Sequence, residues 1–233
     1  MKKKIPKPKA QNNSFKTITV HSHTYGEHER AARGSIKPAR LNDVLARRSK
    51  ELGVITGFAS GVHNLLKGHA GAFKENLFWQ NMLSRLHTVT PITPLAMLQS
   101  LTGLELNSRY PLKRFDNTFF IDTEKRKDKM DVHFKKQFAP QFNKPAEGYC
   151  YDVIVLFFNK EGKATGSETA RSRWMKYNEA AGELVFTFSI PAGSAFYLLC
   201  LRLHTGINGV PTNGIMSQGM RIIESGSLMM NDE

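Results

Sequence analysis

Two runs near the C-terminal end of the chain place apolar residues at every second position. In residues 182–190 these are Leu184, Phe186, Phe188 and Ile190, and in residues 196–204 they are Tyr197, Leu199, Leu201 and Leu203, while Arg202 and His204 point to the other face. Because successive side chains of a strand point to opposite faces, each run predicts a strand with one buried face. The short link of residues 191–194 predicts that the two strands pair as an antiparallel hairpin.

The same period predicts further strands upstream and downstream of this pair. Residues 150–158 are apolar at almost every position, which is typical of a central strand that is buried on both faces. The remaining strand predictions, with a charged turn at 122–128, cover residues 117–121, 129–134, 165–175 and 220–224.

A helical period precedes this region. Leu41, Val44, Leu45 and Leu52 share one face of a helix predicted from Pro38, and Gly53 is its expected end. Residues 72–86 predict a second helix with an apolar stripe, and residues 94–102 a short third one. The stripe consists of Phe73, Leu77, Met82, Leu83 and Leu86, with Trp79 partly on it.

Together these elements predict an α+β protein. A basic, flexible arm over residues 1–36 precedes a mainly helical region over 37–108, and a β-sandwich of about seven strands covers 109–233. Residues 15–20 are a candidate short strand within the arm, and two partners stay open for it: an edge of the sheet or another molecule.

Residues 109–225 resemble a fibronectin type III or immunoglobulin-like domain. The resemblance is carried by the runs 151–157, 184–190 and 197–203, followed by Gly206 and Asn208. It implies a two-sheet sandwich with Tyr197 as a corner tyrosine. It departs from the immunoglobulin pattern because Tyr197 and Cys200 are three residues apart, which puts them on opposite faces of one strand.

Positive charge is concentrated at the N-terminal end. The formal charge of the 233-residue chain is +13; residues 1–50 hold 13 Lys and Arg against three acids, a net of +10, whereas residues 149–233 hold seven against eight, a net of −1. Such asymmetry predicts a basic arm that contacts phosphate backbones or an acidic protein surface. The candidate nucleic-acid-binding residues are Lys2, Lys3, Lys4, Lys7, Lys9, Lys16, Arg30, Arg33, Lys37, Arg40, Arg47 and Arg48.

Catalytic and cofactor motifs do not stand out. Neither a phosphate-binding loop nor a nucleophile elbow occurs around Gly53, Gly57 and Gly61, and no cofactor is predicted. His21, His23 and His28 are candidate metal ligands, but a polar, His-rich linker is the favoured interpretation because no second cluster completes a set of about four ligands, and no metal ligand is assigned. The sequence therefore predicts a protein that is not an enzyme.

The chain has two cysteines, Cys150 and Cys200, which is too few for a disulfide scaffold. It also has no apolar run long enough to cross a membrane. Both observations predict a cytoplasmic protein. Two functions stay open. The first is nucleic-acid binding through the basic arm. The second is a structural or protein–protein interaction module of a multi-subunit, phage-like assembly, in which the sandwich binds the partner.

Overall fold

The structure is a computed structural model that describes residues 17–22, 26–31, 43–69, 76–116, 118–141, 146–212, 214 and 216–229. The chain divides into two units, Met1–Arg47 and Arg48–Glu233. The described part is α+β, with helices and several antiparallel sheets.

The first unit contains a β-hairpin. Strand β1 (Thr17–Ser22) pairs with β2 (Gly26–Ala31), from Thr17 opposite Ala31 to Ser22 opposite Gly26. The strand predicted over 15–20 is therefore present, and its partner is a neighbouring segment rather than an edge of a larger sheet. Phe15 and Lys16 lie outside the described residues.

The longest helix differs from its prediction. It is α1 (Asp43–His69), and it continues through Gly53, where an end was predicted. Its buried face consists of Ile55, Phe58, Ala59, Val62 and Leu66. The apolar residues predicted to face the core, Val44, Leu45 and Leu52, are instead about half exposed. Burial of the second half of the helix outweighs the cost of about 1 kcal/mol that each interior glycine imposes.

Three shorter helices follow α1 in the part of the chain that the structure describes. They are α2 (Asn76–Leu86), α3 (Pro94–Ser100) and α4 (Leu112–Phe115). The Thr93 side chain accepts a hydrogen bond from the backbone N–H of Ala96 and caps α3. The stripe predicted for the second helix is partly wrong: Met82 and Leu86 are buried, but Leu77 is exposed and its neighbour Phe78 is buried instead. Phe73 lies outside the described residues.

Nine strands form the sheets in the described residues of the second unit. They are β3 (Phe119–Arg126), β4 (Lys129–Lys136), β5 (Gly148–Phe158), β6 (Ala164–Arg171), β7 (Met175–Lys176), β8 (Gly182–Ser189), β9 (Phe196–Ile207), β10 (Val210–Pro211) and β11 (Gln218–Ser227). The predicted strands at 129–134, 150–158 and 220–224 are confirmed. The charged turn predicted over 122–128 is wrong, because β3 continues to Arg126. Its outer face is exposed, so the charged Asp122 and Glu124 remain in water there.

A six-stranded sheet lies at the centre of this unit. Its order is β10–β9–β5–β6, with β11 also paired to β9 and β7 to β5. Strand β5 is buried at all of its positions, as its continuous apolar sequence predicts.

The second sheet has the order β3–β4–β8. Here the predicted hairpin between residues 182–190 and 196–204 is wrong, because β8 pairs with β4 whereas β9 pairs with β5. The two runs lie in different sheets, although their alternation predicts the buried faces correctly: Phe188 and Leu201 are both buried. Alternation predicts which residues face a core and carries no information on which strand lies alongside.

Two hydrophobic clusters cover opposite faces of the six-stranded sheet. One cluster joins α1, α2 and α3 to Ile154, Leu156, Leu198 and Cys200. The other joins the three-stranded sheet to the alternate residues of β5 and β9. The edges of the two sheets are also linked, because Lys125 Nζ donates to the carbonyl oxygen of Ser227 at 2.6 Å.

Candidate functional site

Three of the twelve predicted phosphate-binding residues lie in the described part of the chain. Arg30 is on β2, and Arg47 and Arg48 are exposed in the first two turns of α1. The other nine lie outside the described residues: Lys2, Lys3, Lys4, Lys7, Lys9, Lys16, Arg33, Lys37 and Arg40. Arg47 and Arg48 are consecutive in the sequence, and both side chains are exposed.

Arg48 also lines a groove in the second unit. The groove lies between the first half of α1 and the loop of residues 87–92, and its volume is about 560 Å³. Its lining residues are Arg48, Glu51, Leu52, Ile55, His87, Val89, Thr90, Pro91 and Ile92. Five of these nine side chains are aliphatic or proline, and the other four are polar or charged.

A polar network interrupts the helix-covered face of the central sheet. Asp152 on β5 lies opposite Arg202 on β9 and opposite Arg171 on the other neighbour, β6. His204 lies opposite both Cys150 and Gln218. Strand register therefore brings together residues that are far apart in the sequence.

Asp152 is the centre of this network. Its Oδ1 accepts a hydrogen bond of 2.6 Å from Arg171 Nε, and its Oδ2 lies 2.7 Å from His204 Nε2. Burial opposes ionisation of this carboxyl, but the hydrogen bonds from His204 and Arg171 outweigh it and lower the pKa of Asp152. Asp152 is therefore a carboxylate at neutral pH.

His204 is 3% exposed, and its pKa is lowered by burial in spite of the Asp152 carboxylate. Its second ring nitrogen, Nδ1, has no hydrogen-bond partner among the described residues. Cys150 is buried, and burial raises the pKa of its thiol to about 11. The thiol is therefore protonated at neutral pH, and Cys150 and His204 do not form the thiolate–imidazolium pair of a cysteine nucleophile.

Arg202 connects the network to a helix. Its guanidinium donates hydrogen bonds to the backbone carbonyl oxygen of His69, at the end of α1, and to the Gln218 side chain. A cation at a helix C-terminus compensates the unpaired carbonyl groups there. The geometry therefore describes a buried anchor that holds the end of α1 on the sheet.

A second ionic network lies on the opposite face of the same sheet. Lys136 donates to Asp116 and, at 2.9 Å, to Thr118 Oγ1, and Tyr151 donates to the other Asp116 oxygen. The Lys136 and Asp116 side chains are 0% exposed. Burial and the Asp116 charge raise the pKa of Tyr151. This closed pair has a structural role.

Sequence reasoning missed both networks, although a signal was present. Asp152 is a charged residue within an otherwise continuous apolar strand, and Arg202 and His204 follow an apolar run. A charge at such a position predicts a buried partner, because burying an isolated charge is too costly. The identity of that partner depends on strand pairing, which the sequence does not reveal.

The outer face of the three-stranded sheet carries another concave surface. Phe120 and Val185 are exposed there by 62% and 54%. A shallow depression of about 390 Å³ lies beside them. Its lining residues are Phe120, Asp122, Thr123, Glu124, His133 and Lys135.

Metal ligands do not converge in the described chain. His21 Nε2 lies 3.7 Å from Glu27 Oε1 on the N-terminal hairpin, and His23 lies outside the described residues. In the ranges that the structure describes, no three His, Cys, Asp or Glu side chains are grouped as a metal ion requires. None of the helices described is both long and apolar enough to cross a membrane.

Comparison with known proteins identifies no family. No family model matches the chain, and no curated protein matches its sequence. One similar solved structure comes from work on how CC2D1B coordinates ESCRT-III activity during the mitotic reformation of the nuclear envelope. It shares 10% identity over 82% of this chain and 77% of that chain, with a TM-score of 0.26, too low to support an argument about fold or function.

Proposed function

We propose that this is a non-enzymatic protein that binds the phosphate backbone of nucleic acid through its basic N-terminal segment. The observation that carries the proposal is the charge distribution: a net of +10 in residues 1–50 and of −1 in residues 149–233. Clustered cations bind polyanions by releasing condensed counterions, without reading sequence. The exposed positions of Arg47 and Arg48 on α1 support their part in this contact.

The buried networks favour a binding protein over an enzyme. The Cys150 thiol is protonated, and Asp152 and His204 are 3% exposed, so the substrate would have to reach groups that the fold covers. Their contacts hold secondary structure together, which is a sufficient reason for their presence.

The sheets act as a scaffold in this proposal. We infer that they form a β-sandwich of the fibronectin type III kind, because the three-stranded sheet shares one hydrophobic cluster with a face of the central sheet. The helices over the other face are an addition to that pattern. Both cysteines are free thiols, which fits the reducing cytoplasm.

Deletion of residues 1–36 tests the nucleic-acid proposal. If about six cations neutralise phosphates, the logarithm of duplex-DNA affinity should fall with the logarithm of salt concentration with a slope of about −5 for the full chain. The truncated protein should have a flatter slope and a nearly unchanged melting temperature. Fluorescence anisotropy titrations at several salt concentrations, with DNA and with RNA, measure the affinity and therefore the slope. A thermal unfolding curve measures the melting temperature.

The matched control removes cations elsewhere. Lys160→Ala with Lys163→Ala, both exposed on the turn after β5, should leave the slope unchanged. Truncated protein that binds as tightly and with the same slope as the full chain would refute the proposal.

The outer face of the three-stranded sheet favours a second candidate, a protein–protein interaction module. Exposed Phe120 and Val185 offer an apolar contact for an assembly partner, and Lys135 offers one for an acidic protein surface. Binding through Phe120 and Val185 should resist salt, whereas phosphate binding should not. Nuclease treatment before purification separates the two candidates, since only a nucleic-acid partner is then lost.

A further inference from the structure

Strand β1 of the N-terminal hairpin has one paired edge and one open edge. It pairs with β2 at all six of its positions, and among the described residues these two strands form a sheet of their own. Every second residue of β1 therefore directs its backbone N–H and C=O groups away from β2. The side chains of Ile18, Thr19 and His21 are exposed. In the part of the chain that the structure describes, no backbone group outside β2 pairs with β1.

The sequence of β1 favours pairing along this open edge. It reads Thr-Ile-Thr-Val-His-Ser, without Lys, Arg, Asp, Glu, Pro or Gly, and four of its six side chains are β-branched. Such side chains fit a pleated sheet well. Edge strands that remain unpaired in natural proteins are usually protected by charged residues, proline or a bulge. The open edge of β1 has no charge and no proline, so its composition is that of a strand with a neighbour on both sides.

Other edge strands of this protein are protected by charge. Strand β2, at the opposite edge of the hairpin, contains Glu27, Glu29 and Arg30 among its six residues. Strand β3, at one edge of the three-stranded sheet, has charged side chains at four of its eight positions. Because charges on an edge discourage contact with another strand, β2 and β3 are poor candidates for pairing with a partner. The contrast points to β1 as the edge through which the hairpin is extended.

The partner that fits this edge is β1 of a second copy of the chain. Antiparallel pairing about a two-fold axis brings the strand against itself, so only Thr, Ile, Val, His and Ser side chains meet across the contact. In every register of this pairing, no acidic side chain and no Lys or Arg of one β1 opposes a like charge of the other. The pairing also extends a two-stranded hairpin, which alone is only marginally stable in water, to a sheet of four strands.

We propose that two copies of this protein associate through the open edges of β1, which pair antiparallel into one four-stranded sheet. The inference is independent of the proposed nucleic-acid binding, because it rests only on the pairing and the composition of the hairpin. It assigns Ile18, Thr19 and Val20 to the centre of the contact and leaves β2 on the outside of the new sheet.

The variant Thr19→Lys, made in the full chain, separates the dimer from the hairpin. Thr19 lies opposite Glu29, so the new cation gains an opposite charge within the hairpin, whereas its two copies lie close together across a contact between two β1 strands. Sedimentation equilibrium of nuclease-treated protein, at concentrations up to about 200 µM because small interfaces are weak, should show a dimer for the natural chain. The dimer dissociation constant should rise about fivefold or more in the variant. The rise should shrink in concentrated salt, which screens exposed charges.

The matched control is Thr187→Lys, at an exposed threonine of β8 that also lies opposite an acid, Asp131; it should leave the dissociation constant unchanged. A second variant, Ile18→Glu, lies opposite Arg30 in the hairpin and should weaken the dimer as Thr19→Lys does. Far-ultraviolet circular dichroism of both β1 variants should match that of the natural chain.

Three results would overturn the inference. A natural chain that stays monomeric is the first, and it is the result expected if another protein, or a segment of this chain outside the described residues, covers the edge. A dimer that is equally tight in both β1 variants is the second. A tighter dimer in Thr19→Lys is the third, because it would place Glu29, and with it β2, at the contact. The proposed nucleic-acid binding stands in all three cases.

Discussion

The central sheet carries one ionic network on each face, and the two differ in their access to solvent. Consecutive residues of β5 belong to different networks, Tyr151 to the pair of Asp116 with Lys136, and Asp152 to the group of Arg171 with His204. The Lys136 and Asp116 side chains are completely buried, whereas the Arg171 side chain is 55% exposed.

This difference separates a fixed pair from an adjustable one. When one partner of a fully buried pair is removed, the other charge cannot reach water, and breaking such a pair is strongly destabilising. In the Asp152 group, by contrast, Arg171 can turn outward to solvent, and the stability that the group provides changes with pH because burial lowers the pKa of His204. Similar chemistry therefore gives a rigid support on one face and a pH-sensitive anchor on the other.

The largest expected effect is that of Lys136→Met. The variant leaves the Asp116 carboxylate buried without its cation, so the free energy of unfolding should fall by about 3–5 kcal/mol. Urea denaturation followed by circular dichroism measures it. The control is Lys135→Met on the next residue, which is 52% exposed and pairs with Glu183 at the surface. That change should cost about 1 kcal/mol or less. Equal midpoints for the two variants would contradict the structural role of the buried pair.

A smaller loss is expected for Asp152→Asn. The variant weakens hydrogen bonds to a charged acceptor, which should reduce the free energy of unfolding by about 1.5–3 kcal/mol. Because the pKa of Asp152 is lowered in the folded protein, the stabilisation by its carboxylate is present above the ordinary pKa of 3.8 and fades as the pH falls below it. The free energy of unfolding, measured at several acidic pH values, should therefore change less with pH in the variant than in the natural chain. The control is Asp122→Asn, at an exposed position. If Asp152→Asn lost as much stability as Lys136→Met, the two networks would not differ as proposed.

The smallest effect should come from His204→Gln and should appear only with pH. Because burial lowers the pKa of His204, the unfolded chain takes up a proton below the ordinary value of 6.5 while the folded chain does not. Stability of the natural chain therefore falls as the pH drops below 6.5. The fall between pH 7 and pH 5 should be smaller in the variant. Stability curves over pH that are identical for His204→Gln and the natural chain would refute this prediction.

Periodicity predicted the strands better than their arrangement. Phe188 and Leu201 are buried because alternation defines the inward side of a strand, whatever its neighbour. Their strands lie in different sheets because pairing depends on distant segments: β4 lies beside β8, and β5 beside β9. The sequence of a single strand does not determine which other strand pairs with it.

The sequence shows which residues of the candidate site are charged, but not which of them lie close together. The basic segment stands out from composition, but the groove combines residues near Arg48 with the loop of residues 87–92, and the sequence does not show that the two segments meet. His204 and Asp152 are likewise 52 residues apart in the sequence and 2.7 Å apart in the structure.

The glycines of α1 leave the helix below the stability that its length allows. Gly53, Gly57 and Gly61 lie at solvent-exposed positions one turn apart, and a methyl group added at any of them would meet no atom within 4 Å. Alanine is favoured over glycine inside a helix by about 0.8–1.0 kcal/mol per residue. The first half of α1 should therefore exchange its amide hydrogens sooner than β5, and three alanines would be a simple route to a more heat-resistant protein.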